Sequence, residues 1–154
     1  MNYLKLSILL VLLSAIFAGC ASTYKAPEMM PLKIEENVNG SKVELFVAAK
    51  KVLINEGFAI KYSDENTGTI STSPKPVKLD DKMANCGTTA GVPALSSLKI
   101  SGKIAVGLAI DNNKVSITSS VYAEDVRRNA DVICISTGTV EKDLIQKIKI
   151  KMSQ

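Results

Sequence analysis

Histidine and tryptophan are absent from this sequence of 154 residues. Without histidine the chain lacks a principal zinc ligand and the side chain that most often acts as a general base. Ser–His and Cys–His nucleophile pairs are excluded for the same reason. The sequence therefore predicts neither a metal site nor a cofactor.

Excess charge of one sign is also lacking, because 19 Lys and Arg residues oppose 15 Asp and Glu residues, for a net charge of +4. A nucleic-acid-binding face requires clustered Lys and Arg, so we expect no nucleic-acid partner. With 46% hydrophobic and 22% charged residues, the composition is that of a globular chain. The length fits one domain with a modest core.

The chain opens with the layout of a secretory leader. Residues 6–18, LSILLVLLSAIFA, form an apolar run behind Lys5. This run is shorter than the roughly 20 residues that a membrane-spanning helix needs. Its end, Phe17-Ala18-Gly19-Cys20, resembles the lipobox of bacterial lipoproteins. Residues 1–19 are therefore predicted to be a signal peptide.

The lipobox resemblance implies that Cys20 becomes the mature N-terminus and carries two or three acyl chains, palmitate among them. Such an anchor holds a protein on a bilayer almost permanently. Ala21 stands where inner-membrane lipoproteins have Asp. In a two-membrane organism the resemblance thus implies the inner leaflet of the outer membrane, facing the periplasm. An ordinary cleaved signal and a short uncleaved anchor are the alternatives.

Two cysteines remain, Cys86 and Cys134. In an exported chain an even remainder usually forms a disulfide. Two buried free thiols or a redox-active pair are the alternatives, although redox pairs favour the C-x-x-C spacing. We predict a structural disulfide.

Residues 20–40 are predicted to be the lipidated cysteine and a tether, because residues 21–40 have two prolines, scattered charge and no sustained period. Twenty residues reach at most about 70 Å when extended. Alternatively, Met29, Met30, Leu32 and Ile34 add an edge strand. Residues 41–154 are predicted to form a single globular domain.

A helix is predicted over residues 41–56, where Ser41 and Glu44 match a capping box and Gly57 supplies the stop. Its apolar stripe is predicted to consist of Val43, Phe46, Val47, Leu53 and Ile54.

Alternation and turn residues predict a hairpin over residues 58–73, followed by a long loop over residues 77–96. Two long strands follow, with Leu98 to Ile110 and Val115 to Val121 alternating. The last element is a helix that opens near Thr137. Its apolar positions are Val140, Leu144, Ile145, Ile148 and Met152.

The predicted fold class is α+β: an antiparallel sheet of about four strands in the order α-β-β-β-β-α, with the N- and C-terminal helices on one face and one disulfide. This arrangement buries every apolar stripe.

Four segments carry a resemblance to known proteins. Gly57-Phe58-Ala59-Ile60 and residues 67–72, TGTIST, follow a helix in a pattern that is similar to the helix-grip domains of the C lipoprotein of the outer-membrane barrel-assembly machinery. Asn85-Cys86-Gly87 and residues 134–138, CISTG, with Glu141 resemble small uncharacterised envelope lipoproteins. The resemblance implies a helix-grip-like domain.

Candidate catalytic groups are few. They are the acidic pairs Asp80-Asp81, Glu124-Asp125 and Glu35-Glu36, and Ser96, which is three residues before Lys99. Adjacent carboxylates point to opposite sides of an extended chain. Ser96 lacks the helix start that a Ser-x-x-Lys nucleophile needs. We therefore expect no catalytic site.

The sequence favours a lipid-anchored, non-catalytic binding or scaffolding module of the bacterial cell envelope. Its expected partners are the membrane, through Cys20, and other envelope proteins. One alternative is a carrier of small apolar ligands, in a cavity between helix and sheet lined by Phe46, Ile104 and Val106. The other is an envelope hydrolase that uses Ser96 or the acidic pairs.

Overall fold

Two twelve-residue strands joined by a tight turn form the centre of the fold in the computed structural model, which describes residues 24–28 and 32–154. The strands are antiparallel and paired along their full length. Because side chains alternate along a strand, one face of the pair collects its apolar residues. The buried residues on this inner face are Ile104, Val106, Leu108, Ile110, Val115 and Ile117. The predicted alternation is confirmed.

The elements are numbered in chain order. The strands are β1 (Tyr24–Lys25), β2 (Lys33–Asn37), β3 (Ile60–Asp64), β4 (Thr69–Thr72), β5 (Lys75–Val77), β6 (Ala84–Asn85), β7 (Thr88–Thr89), β8 (Val92–Pro93), β9 (Ile100–Asp111), β10 (Lys114–Asp125), β11 (Ala130–Ile133) and β12 (Ile135–Ser136). The helices are α1 (Lys42–Asn55), α2 (Ala94–Ser97) and α3 (Thr139–Met152).

Five further strands extend the central β9–β10 hairpin to an antiparallel sheet of seven. Strands β4 and β5 pair with different halves of β9, and β2 and β11 pair with different halves of β10. Strand β3 pairs with β4 at the edge. Two small sheets lie apart from this one, with the orders β1-β7-β8 and β12-β6.

The predicted fold class is wrong, because the main sheet has seven strands rather than about four and three helices are present rather than two. The missed strands are two to five residues long, as in β2 (Lys-Ile-Glu-Glu-Asn) and β5 (Lys-Pro-Val). Segments this short and polar carry too little alternation to be recognised. Their pairing follows from the free edges of β9 and β10, whose backbone groups need partners.

The segment predicted to be a tether contains two strands. Residues 33–37 form β2, which pairs with residues 114–118 of β10, so an edge strand is present as in the alternative interpretation. Residues 24–25 form β1, which pairs with β7. Met29 and Met30 lie outside the described residues, as does Cys20.

Helices α1 and α3 cover the inner face of the sheet. The capping box at α1 is confirmed, since the Ser41 side chain accepts from the Glu44 amide and the Glu44 carboxylate accepts from the Ser41 amide. The buried face of α1 consists of Leu45, Phe46, Ala48, Ala49, Val52 and Leu53. In α3 the predicted stripe is confirmed, with Leu144, Ile145 and Ile148 buried.

The predicted stripe of α1 is confirmed at Phe46 and Leu53, which are buried, and is wrong at Val43, Val47 and Ile54, which are exposed. The stripe was assigned by 3.6-residue spacing in a phase that left out Leu45 and Val52, which are buried as well. In the structure the two small alanines, Ala48 and Ala49, face inward instead, where small side chains let a helix approach a packed layer closely.

The predicted disulfide between Cys86 and Cys134 is confirmed. It lies in a second, smaller core, whose buried members are Ala84, Cys86, Ala94, Ala123 and Val132. The region predicted as a loop over residues 77–96 contains β6, β7, β8 and α2. The disulfide joins this region to the junction between β11 and β12.

No helix within residues 24–28 and 32–154 is long and apolar enough to cross a bilayer.

We predict that replacing both Cys86 and Cys134 by alanine lowers the free energy of unfolding by about 4 kcal/mol, because a crosslink across 48 residues restricts the unfolded chain. Urea unfolding measures this loss. A reductant should bring the wild-type protein to the stability of the double variant and leave the variant unchanged. Equal stability of the two oxidised proteins would contradict the prediction.

Candidate functional site

No helix formed by residues 24–28 or 32–154 covers the sheet face opposite α1 and α3, and we call this face the outer face. Cross-strand pairing arranges its side chains in rows. One row runs Tyr62, Ser71, Gly107, Thr118 and Lys33, across β3, β4, β9, β10 and β2. Tyr62 reaches this face because a bulge between Ile60 and Tyr62 shifts the register of β3.

Small residues run down the middle of the outer face. Ala105, Gly107 and Ala109 follow one another on alternate positions of β9. Hydroxyl side chains flank this strip, namely Ser116, Thr118 and Ser120 on β10 and Thr69 and Ser71 on β4. The centre of the face is therefore shallow and rich in hydrogen-bonding groups.

One rim of the outer face holds a charge cluster around Glu35 on β2. Its carboxylate forms an ion pair with Lys33, accepts a hydrogen bond from Ser116 Oγ at 2.9 Å, and lies 3.5 Å from Lys114 Nζ. The Lys33 and Ser116 hydrogen bonds lower the pKa of Glu35 to about 2. Glu35 therefore stays ionised near neutral pH and fixes β2 to β10.

A cleft of about 410 Å³ opens at the other end of the outer face. We define the cleft by Lys103, Tyr122, Ile133, Glu124 and Asp131. Tyr122 lies between Lys103 of β9 and Ile133 of β11, which are its two cross-strand partners. Tyr122 and Ile133 are 52% and 50% exposed, so two large apolar side chains lie side by side on this surface.

The charges of the cleft have no ion-pair partners among residues 24–28 and 32–154. Glu124 lies directly opposite Asp131 on the neighbouring strand. Like charges in this relation destabilise a sheet unless another group compensates them. The cleft thus offers two carboxylate acceptors and the Lys103 ammonium beside an apolar ring, an arrangement that favours a partner with hydrogen-bond donors.

The disulfide and Tyr24 hold one wall of the cleft. Cys134 lines the cleft and directly follows Ile133. The Tyr24 hydroxyl lies 3.2 Å from the Cys86 carbonyl oxygen and 3.1 Å from the Ile133 carbonyl oxygen and donates to these acceptors. Burial raises the pKa of this hydroxyl, so it remains a donor near neutral pH.

Sequence reasoning identified Cys86 and Cys134 but missed Tyr122, Lys103 and Ile133. The alternation of β10 could have identified Tyr122, because Val121 and Ala123 on either side of it face inward and Tyr122 must therefore face outward. Ile133 belongs to a strand of four residues, too short for its phase to be assigned.

A second concavity, which we call the groove, lies between α3 and the sheet. Its volume is about 330 Å³, at the small end of ligand pockets. Its apolar lining consists of Phe58, Val77, Met83, Ile104, Val140 and Leu144.

Charged side chains surround the mouth of the groove. Lys75 Nζ donates to the Glu56 carbonyl oxygen and lies 4.9 Å from the centre of the Phe58 ring. Lys147 Nζ is 2.8 Å from Asp143 and 2.9 Å from Glu56. The hydrogen bond to Asp143, and to a smaller extent that to Glu56, raises the pKa of Lys147.

The cavity expected from the sequence is present only in part. Ile104 borders the groove, whereas Phe46 and Val106 lie in the main core, 4% and 2% exposed. The space between α1 and the sheet is therefore filled, and the opening lies at one end of α3.

The acidic pairs separate in space. Glu124 faces the cleft, while Asp125 is 3% exposed, accepts from the Arg127 amide and pairs with Arg128. On β2, Glu35 faces outward and Glu36 pairs with Lys149 of α3.

The remaining candidates occupy turns. Asp80 accepts from the amides of Lys82 and Met83 and so holds a turn. Ser96 is exposed on the one-turn helix α2, and Lys99 follows that helix. Within the described residues no group of three or more Asp, Glu or Cys side chains is arranged to hold a metal ion.

Glu141, like Asp125, is a buried carboxylate that sequence reasoning singled out. It is fully buried in the first turn of α3, where the helix dipole favours negative charge. Its Oε2 accepts from Ser136 Oγ at 2.8 Å, and Ser136 Oγ accepts from the Gly138 amide. This network connects β12 to the start of α3.

Comparison with known proteins finds no family and only distant structural similarity. No family model matches the chain, and no curated protein matches it significantly. A solved DUF4468 family protein from Bacteroides ovatus is similar at a TM-score of 0.46 and 10% identity, over 83% of this chain and 84% of that one. A solved TBP-like protein from Parabacteroides distasonis is similar at 0.44 and 17% identity, over 83% and 89%.

Proposed function

We propose that this protein is a lipid-anchored, non-catalytic binding module of the bacterial cell envelope. Cys20 carries the acyl anchor, and the body faces the periplasm from the inner leaflet of the outer membrane. The observation that carries the binding role is the cleft on the outer face, where an exposed tyrosine lies with three charged side chains that have no ion-pair partner among the described residues.

Two features support an exported, anchored protein. The leader ends in Phe17-Ala18-Gly19-Cys20, the pattern at which lipoprotein precursors are acylated and cut. The disulfide between Cys86 and Cys134 fits an oxidising compartment, since disulfides are rare in reducing ones. Ala21 supports sorting to the outer membrane.

The composition of the cleft supports a binding role. Exposed tyrosines are frequent anchors of protein interfaces, because the ring is apolar and the hydroxyl forms hydrogen bonds. Around Tyr122, the carboxylates of Glu124 and Asp131 and the ammonium of Lys103 supply specificity. A partner surface that presents hydrogen-bond donors would relieve the repulsion between the two carboxylates.

A non-catalytic role is supported by the placement of the candidate groups. Paired carboxylates act as general acid and base only when both reach the same bond. Glu124 and Asp125 lie on opposite faces of β10, and Ser96 is on a separate turn. We therefore do not propose the hydrolase alternative.

The cleft predicts which surface contacts the partner in cells. A photo-cross-linking phenylalanine derivative at position 122 of the full-length protein should give adducts with envelope components after irradiation. The same residue at position 146, exposed on α3, is the matched control and should give none. Mass spectrometry identifies the adducts.

Tyr122→Ala should weaken recovery of that partner about fivefold or more, since truncating an interface tyrosine costs at least ~1 kcal/mol. Adducts formed from position 146 but not from position 122 would refute the outer face as the binding surface.

The groove favours a second candidate function, transport of a small apolar ligand. Its lining is apolar, and the Lys75 ammonium at the mouth suits an acidic head group. A medium-chain fatty acid has both properties. Lys75 forms no ion pair with a carboxylate of the described residues.

If the groove binds such a ligand, Val140→Phe should weaken laurate binding about tenfold by filling the space. Val43→Phe, on the exposed side of α1, is the control and should bind as the wild type does. Isothermal titration calorimetry gives both affinities. Absence of any laurate binding to the wild-type protein would exclude the carrier function.

A further inference from the structure

The chain between the predicted anchor and the folded body is very short. Strand β1 begins at Tyr24, four residues after Cys20. Four residues span at most about 14 Å in any conformation. If Cys20 is acylated, as the proposed function requires, Tyr24 lies within that distance of the lipid.

Strand β1 is attached to the body at one end of the molecule. Tyr24 and Lys25 pair with Thr89 and Thr88 of β7, beside the disulfide. A Cβ atom at position 87 would collide with the Lys25 carbonyl oxygen. The backbone φ of Gly87, +74°, also favours glycine. The anchor-proximal residues are thus packed on the body rather than extended away from it.

The same end of the body includes the start of β9 and the turn between β10 and β11. The Val126 amide donates to the Lys99 carbonyl oxygen at 2.9 Å, and the Ala94 amide donates to the Gly87 carbonyl oxygen at 2.9 Å. These bonds join β8, α2 and the β10–β11 turn around the second core. We call this region the anchor end.

The exposed side chains of the anchor end suit an anionic membrane surface. Val92 and Val126 are 49% and 50% exposed. At the base of the β10–β11 turn the cleft carboxylates Glu124 and Asp131 are exposed on the outer face, and the exposed cations of the anchor end are Lys25, Lys99, Arg127 and Arg128. Of these, Arg128 alone is in an ion pair among the described residues, with Asp125. Apolar side chains between cations are typical of surfaces that lie against phospholipid headgroups.

The opposite end of the molecule is too far from the anchor. Strand β9 contains 12 residues, which corresponds to about 36 Å between the anchor end and the β9–β10 turn. The C-terminal part of α3 lies toward that turn, because Lys149 pairs with Glu36 of β2 and β2 pairs with residues 114–118. A chain of about 14 Å therefore cannot place the β9–β10 turn at the bilayer instead of the anchor end.

We propose that the anchor end lies on the anionic headgroups of the membrane, with Val126 and the cations Lys99 and Arg127 in contact with lipid. This inference depends on the proposed anchoring at Cys20. In the proposed orientation the long axis of the body points away from the membrane, and the β9–β10 turn lies in the periplasm.

Because the chain has no tryptophan, single substitutions give unambiguous fluorescence probes. Val126→Trp and Ile150→Trp are matched, since these residues are 50% and 58% exposed at opposite ends. Each full-length variant is purified from membranes and reconstituted in phosphatidylethanolamine–phosphatidylglycerol vesicles with nitroxide headgroups. Quenching at position 126 should exceed that at position 150 at least about twofold, because quenching needs near contact with the headgroups.

A second arm tests the charges. Lys99→Glu with Arg127→Glu should reduce quenching at position 126 to the level found in neutral phosphatidylcholine vesicles. The control Lys51→Glu, on the exposed side of α1, should leave the quenching at position 126 unchanged.

The outcomes separate the two proposals. Stronger quenching at position 150, or equally weak quenching at both positions, overturns the membrane-facing end. The mass of the mature N-terminus in the same preparation tests the anchor itself. An unacylated Cys20 overturns both proposals, whereas an acylated Cys20 with an unquenched Trp at position 126 overturns this one alone.

Discussion

The attachment of Tyr24 beside the disulfide is the constraint on which the functional account depends. The Tyr24 hydroxyl lies within hydrogen-bonding distance of the carbonyl oxygens of Cys86 and Ile133. The disulfide joins Cys86, which follows β6, to Cys134, which lies between β11 and β12. The same contacts hold a wall of the cleft and bring the N-terminal segment onto the body. Anchor position and binding surface are therefore coupled through one small region of the fold.

The two faces of the sheet have different physical roles. The inner face and helices α1 and α3 bury the main core, which supplies most of the hydrophobic stabilisation. The outer face is free to carry hydroxyls, small residues and the charges of the cleft, because its side chains contribute little to burial. An antiparallel sheet permits this division, since it needs cover on one face only.

Much of the fold was predictable from the sequence where patterns are long. The alternation from Ile104 to Ile110, the capping box at Ser41 and the disulfide partners are all present as predicted. The short strands were not predictable, since a segment such as Lys-Pro-Val has no period of its own and pairs because a neighbouring edge is available. The stripe of α1 was assigned in part to the wrong phase, because apolar residues lie on several sides of this helix and more than one phase fits the 3.6-residue spacing.

The candidate site was less predictable than the fold. The cleft joins Lys103, Tyr122 and Ile133, which are far apart in sequence and adjacent only through the pairing of three strands. Strand β1 is two residues long, and nothing in its sequence distinguishes it from a tether. Long-range pairing determined both features, and no local pattern encodes it.

Hydrogen–deuterium exchange at the amides of residues 24–28 and 88–93 tests the docking of the N-terminal segment most directly. The account predicts that both segments exchange at least about tenfold more slowly than an unstructured chain in the oxidised protein, and that reduction of the disulfide removes much of this protection. Exchange of residues 24–28 at the unstructured rate in the oxidised protein would contradict it.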